Sequence, residues 1–278
     1  LENPEADRDE AVHEARKCFK KIRAALRLVR DEIGRQVYKP ENVFYRDLGR
    51  RLSEVRDSAV MVETLDVLAA RFEDQVAPGT WQDVRAELVA AHQATRERIL
   101  DQEGAAEQVA DELRRGRARV AEWPIERKDF TALRGGMRRV YRRGHDRLAD
   151  AYAEPSPERF HEWRKRVKYL WYHVRILNPV WPEPLDALGD ALHTLANHLG
   201  QDHDLYELRQ VVVGRPEMFE DESALQFLLA LLSHRRAELE GLARPLGERI
   251  YAEDPDTFVQ RLAAYWRVWA MESTLDRV

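Results

Sequence analysis

Apolar residues recur along this chain every three or four positions, and the rhythm stops where Pro and Gly gather. It predicts helices over 9–34, 42–74, 81–102, 105–121, 127–153, 158–177, 185–213, 221–243 and 255–274. No stretch reads convincingly as a strand. Gly34 closes the first helix, Lys39-Pro40 turns the chain, and Pro78-Gly79 is a clear break with Thr80 as N-cap of the helix after it. Gly104 interrupts the chain again, and Gly135-Gly136 is a point where 127–153 could kink. Two prolines in Glu154-Pro155-Ser156-Pro157 cannot lie inside a helix, so this is the best internal boundary, with Ser156 placed to cap helix 158–177 and Pro157 in its first turn. Pro179, Pro182 and Pro184 form the next connector, and Pro245, Gly247 and Pro255 separate the last two helices. The expectation is an all-α chain of two bundles, each of about four long helices.

The stretch His161 to Arg175 has an earlier counterpart at His13 to Arg27. His13 and His161, Glu14 and Glu162, Arg16 and Arg164, Lys17 and Lys165, Lys20 and Lys168, Arg27 and Arg175 occupy matching offsets, which points to a duplicated unit. At roughly 100° per residue, the His, Arg and Lys positions of each copy fall on one ridge of their helix. Phe19, Ile22, Leu26, Val29 and Ile33 lie opposite the first ridge, and Phe160, Trp163, Val167, Leu170, Val174 and Leu177 opposite the second, where they would face a core. No acid is expected on either ridge before Asp31. Ordinary solvated helix faces mix signs at i to i+4. A ridge of like charges is easier to understand if an anionic ligand relieves the repulsion.

Composition narrows the setting. With 278 residues, 44% of them apolar, and seven Trp, the chain can bury a substantial core. Its single cysteine, Cys18, excludes an intramolecular disulfide, fits a reducing compartment and reads as a small buried or half-buried residue. No apolar run approaches the roughly 20 residues that cross a bilayer, and no signal sequence is recognisable, so a soluble cytoplasmic protein is expected. Net charge is −5, yet residues 13–30 hold seven Lys/Arg against one acid and 161–175 hold five against one. Those two segments together are +10, which leaves −15 on the remaining residues. The picture is a local electropositive site on an acidic body.

A second correspondence follows each basic helix: Val55-Arg56-Asp57-Ser58-Ala59-Val60 matches Gly200-Gln201-Asp202-His203-Asp204-Leu205, with Asp57 at Asp202. The paired H-x-x-R-K-x-x-K helices, these Asp-containing segments and Tyr141-Arg142-Arg143-Gly144 together resemble the CHAD family, the conserved histidine α-helical domains, over about residues 9–272. The resemblance implies two pseudo-symmetric four-helix bundles, here residues 1–154 and 155–278, with a basic central groove or pore that binds inorganic polyphosphate without catalysis, metal or cofactor. The binding set it implies is His13, Arg16, Lys17, Lys20, Arg23, Arg27, Arg56, Arg138, Arg142, Arg143, His161, Arg164, Lys165, Lys168 and Arg175. Association with polyphosphate granules would follow. Gln201 stands where the first copy has Arg56, and Asn178 opposite Arg30, so the second half would grip with fewer cations.

The chemistry of the residues agrees. Polyphosphate offers repeated negative charge and no bases or sugars, and Arg and Lys supply forked and point-charge contacts to it. His13 and His161, crowded by cations, should resist protonation and act as neutral donors, or else serve as structural histidines on a facing helix. Arg142 and Arg143 read either as phosphate contacts or as a solvated face. Tyr141 reads as packing, and Asp57 and Asp202 as groups that orient a nearby cation. Two rivals remain. Glu10-x-x-His13 and Glu158-x-x-His161 mimic a di-metal bundle, although the neighbouring cations disfavour a dication. Basic helices could instead follow a nucleic-acid backbone, but no recognisable module for that is present. His193, His198 and His203 recur every five residues, which spirals round a helix instead of building one metal face, and Trp163, Trp171, Trp266 and Trp269 read as bundle contacts.

Overall fold

The structure, a computed structural model, describes residues 7–76 and 79–275. Among them every regular element is helical and there is no strand. Ten α-helices follow in order: α1 (Arg8–Leu28), α2 (Arg30–Arg51), α3 (Ser53–Arg71), α4 (Gln82–Arg96), α5 (Ala105–Val120), α6 (Thr131–Ala153), α7 (Pro157–Leu177), α8 (Pro182–Val213), α9 (Glu222–Ile250) and α10 (Pro255–Leu275). A π-helical turn at Glu97–Gln102 prolongs α4, and short 3-10 turns precede α8 and α9.

Several breaks differ from the sequence expectation. The first helix stops at Leu28 and the chain restarts at Arg30; Gly34, at φ 73° and ψ 163°, divides α2 into two helical pieces. Only glycine takes that backbone readily. Lys39-Pro40 is not a turn: Pro40 lies within α2, in the second turn after Gly34, where its fixed φ suits a helix. The long helix expected over 42–74 is divided at Leu52, a break that no Gly or Pro announces. Helix α4 starts at Gln82 with Trp81, not Thr80, at its N-cap and no side-chain cap bond. Pro78 lies outside the described residues, while Gly79 beside it has φ 87°. Pro245 and Gly247 do not end α9, which runs on to Ile250. Ser156 does cap α7, accepting from the Arg159 amide at 3.3 Å, with Pro157 at the first position.

Two compact units emerge, and neither is continuous in sequence. Unit 1 takes the chain up to Lys20, Tyr45–Ala121 and Gln201–Leu239; unit 2 takes Lys21–Phe44, Glu122–Gly200 and the chain from Glu240. The Glu154 to Pro157 boundary between the expected repeats falls inside unit 2. Helices α3, α4, and parts of α8 and α9 bury Leu65, Leu68, Leu88, Leu208, Leu228 and Leu232 in the core of unit 1. In unit 2, α6, α7 and α10 with the adjoining part of α8 enclose Tyr141, Trp163, Leu170, Leu192, Leu195 and Phe258.

The apolar face of α7 packs as its periodicity predicts, since Phe160, Trp163, Val167, Leu170, Val174 and Leu177 are all buried. On α1, Phe19 and Leu26 are buried, as is Ile33 beyond it. Helix α6 runs unbroken through Gly135-Gly136. The second glycine allows a close approach instead: a Cβ there would sit 2.0 Å from the Leu28 carbonyl oxygen. Fully buried His173 of α7 joins α1 through its Nε2, 2.7 Å from the Ala24 carbonyl oxygen. Tyr141 is packing, as expected, its hydroxyl meeting the carbonyls of Ile250 and Glu253.

Candidate functional site

The first basic ridge divides between the units. His13, Arg16, Lys17 and Lys20 stand in unit 1 with Arg56, and Arg23 and Arg27 in unit 2. Arg16 donates through Nη1 to the Gly49 carbonyl at 3.0 Å and through Nη2 to Asp57 at 3.3 Å, so Asp57 orients a cation as expected. Partial burial, then the charge of Arg56, pulls the His13 pKa below its usual value, the direction expected of an imidazole among cations. Lys20 is exposed, and so is Cys18, which corrects the reading of that thiol as buried or half-buried: it lies toward the solvent edge beside Lys17.

The second ridge, His161, Arg164, Lys165, Lys168 and Arg175, lies wholly in unit 2 with Arg138, Arg142 and Arg143 of α6. Exposed Arg175 rests over the Trp171 ring at 5.3 Å. Arg164 passes Gly200, where a Cβ would stand 3.5 Å from its Nη2.

The ridges are not free of acid, contrary to the expectation. Lys17 Nζ donates to Glu14 at 2.7 Å, and Lys165 donates to Glu162, whose other oxygen takes Arg166 at 3.0 Å. The cause is helical spacing: each Glu sits one residue past its His but within reach of the Lys three residues on. Burial works against ionisation of Glu162, yet its bonds and the charges of Lys165 and Arg166 hold its pKa below the usual carboxylate value. Two more expected site residues are occupied as well. Arg56 forks onto Glu63 at 2.6 and 2.9 Å, and Arg138 forks onto Asp256 at 2.6 and 2.7 Å. These pairs are solvent-exposed in large part, so a polyanion can compete for the cations.

Packing brings in cations that sequence reasoning passed over. Gln201, expected to mark a weakened half, and Asp202 beside it receive arginines from α9: Arg235 Nη2 donates to Gln201 at 3.3 Å and Arg236 Nε to nearly buried Asp202 at 2.8 Å. Asp202 therefore orients a cation, as Asp57 does. In unit 2 a small pocket gathers Arg27, Arg139, Arg143 and Arg166 with Arg30, against the rings of Tyr38 and Tyr169. Arg27 and Arg143 belong to the expected set; the other three arginines were legible only as charges without a place. Arg23 lies next to this group, its Nε on Asn42 at 3.2 Å and its carbonyl accepting from Arg27 at 2.6 Å.

The family model of the CHAD domain matches residues 1–213. The chain belongs to the CHAD family. No curated protein and no solved structure matches it. In this CHAD protein no three His, Cys, Asp or Glu side chains among the described residues are grouped to hold a metal ion, and no described helix is long and apolar enough to cross a membrane. His193 stacks on Trp171 at 4.7 Å instead of joining His198 and His203.

Proposed function

We propose that this CHAD protein binds inorganic polyphosphate, without catalysis, on the basic surface of its two duplicated helices, in a cytoplasmic setting. The observation that carries the reading is the repeated H-x-x-R-K-x-x-K ridge on α1 and α7 in a chain of this family. Each ridge sets its cations on one helix face while the opposite face is buried, so the charges are held by a rigid element and ordered before a ligand arrives. Repeated phosphates need repeated cations and little else, and Arg forks suit adjacent phosphate oxygens. The carboxylates on Lys17, Lys165, Arg56 and Arg138 then act as resident counter-charges that the ligand displaces. Two pseudo-symmetric bundles with a basic groove remain the arrangement the family resemblance suggests.

Calorimetric titration with defined-length polyphosphate at two salt concentrations tests this. Affinity falls steeply with salt, as it does for other linear polyanions, and charge reversal at Lys17 and Lys165 weakens it. Binding untouched by that reversal refutes the ridge assignment. Bound RNA or DNA that polyphosphate cannot displace at equal phosphate concentration makes the protein a nucleic-acid binder instead.

A further inference from the structure

The cations of unit 2 fall into two kinds. Many are matched to carboxylates at the surface. The pocket among α1, α2, α6 and α7 is different, because aromatic rings and backbone hold two of its five guanidinium groups, Arg27 and Arg30. Arg27 lies over Tyr169 at 4.2 Å with Nη1 on the Arg23 carbonyl, and Arg30 lies over Tyr38 at 4.8 Å. Exposed Arg143 of α6 faces them across the pocket. A ring face orients a guanidinium through its quadrupole without cancelling the charge. Arg139 and Arg166 complete the lining and do meet acids, Asp31 and Glu162. Even with both acids counted against it, the cluster keeps three formal positive charges around one small space. Burial, then the charges of Arg166, Arg139 and Arg30, draws the Arg143 pKa down, the direction that crowded cations dictate.

We propose that this pocket takes a phosphate group with three free oxygens, that is, one carrying close to two negative charges. An internal phosphate of a chain has two free oxygens and about one charge. A terminal group resembles a phosphomonoester, with a charge of about −1.5 to −2 at pH 7 and a third acceptor oxygen. Three surplus cations converging from several helices match the second better than the first, and walls on several sides suit an end more than a strand that must continue both ways. The ligand class rests on the polyphosphate reading above. Its source is either a chain end or free orthophosphate, which share this chemistry.

Titrating the full chain with polyphosphate whose ends are free, the same polyphosphate with both ends capped as phosphoramidates, and orthophosphate separates the possibilities. If a chain end is the ligand, capping weakens binding to the wild type by about tenfold, the scale of one lost charge-assisted contact. Arg143→Gln and Arg30→Gln then each bind capped and free chains alike. If orthophosphate is the ligand, it binds once per chain, is lost in both variants, and capping has no effect. Equal binding of capped and free chains with no orthophosphate binding overturns the pocket assignment while the ridge reading stands. No binding of any polyphosphate overturns both. Circular dichroism of the two variants checks that the helices are intact.

Discussion

Lowering the pH should unfold this protein in part through one side chain, His173. Its ring is fully buried, Nε2 bonds the Ala24 carbonyl, and Nδ1 has no hydrogen-bond partner among the described residues. Burial pulls its pKa down to about 4; the carbonyl bond opposes the shift and the charge of Arg27 adds to it. In the unfolded chain the same imidazole titrates near its ordinary value of 6.5. The fold therefore prefers the neutral ring. Its contribution is whole above about pH 6.5 and is lost as the pH falls toward about 4, where the unfolded chain holds a proton that the folded chain excludes. A gap of roughly 2.5 pH units at ~1.4 kcal/mol per unit amounts to about 3 kcal/mol, large beside the ~5–15 kcal/mol that holds a typical protein folded. Urea denaturation followed by helical dichroism, from about pH 7 to about pH 4.5, reads this directly when the wild type is compared with His173→Gln. The glutamine keeps an N–H donor but does not titrate. It costs about 1–2 kcal/mol near neutrality from imperfect packing and bonding, and as the solution is acidified the gap between the two proteins closes and then reverses, since the wild type alone loses the larger contribution. Parallel pH profiles would show that His173 is not held neutral by the fold, and the reasoning would fail.

Two glycine substitutions should move stability in opposite directions. Gly136→Ala drives a Cβ to 2.0 Å from the Leu28 oxygen and 2.6 Å from its Cα, and should cost about 3 kcal/mol or more; Gly241→Ala in α9 meets nothing within 4 Å and should gain about 0.5–1 kcal/mol, both read from thermal melts. Arg236→Ala strips a partner from Asp202, which is 2% exposed, and should cost about 3 kcal/mol in chemical denaturation, with part recovered in the double variant that also carries Asp202→Asn. Glu162→Gln releases Lys165 and Arg166 and should tighten polyphosphate binding about fivefold at low salt, the ~1 kcal/mol of one charge at close range in water. Unchanged affinity there would mean that those cations do not touch the ligand.

What the sequence disclosed and what it hid have physical reasons. The apolar face of α7 and its Ser156 cap were legible because both are local: a period of 3.6 residues and a hydroxyl three residues from an amide. Pro40 and Pro245 misled, because a proline breaks a helix only where its missing N–H and ring conflict with neighbours, and both are accommodated within α2 and α9. The break at Leu52 carries no composition signal at all. At the site, Glu14 and Glu162 were within helical reach of Lys17 and Lys165 and could have been found from spacing alone. Arg139 and Arg166 could not, since α6 and α7 bring them to Arg27 from more than a hundred residues away. Arg236 on Asp202 is likewise the work of helix packing across 34 positions.

The match to the family model ends at Val213, yet neither hydrophobic interior is finished there. One still lacks Leu228, Leu232 and Leu239; the other lacks Ala243, Ile250, Phe258 and Leu262. A fragment trimmed to the matched region would expose the leucines of α3 and α8 in one unit and the aromatic residues of α6 and α7 in the other. Recombinant work should therefore keep α9 and α10, because the segment beyond the recognisable motif is the lid on both cores.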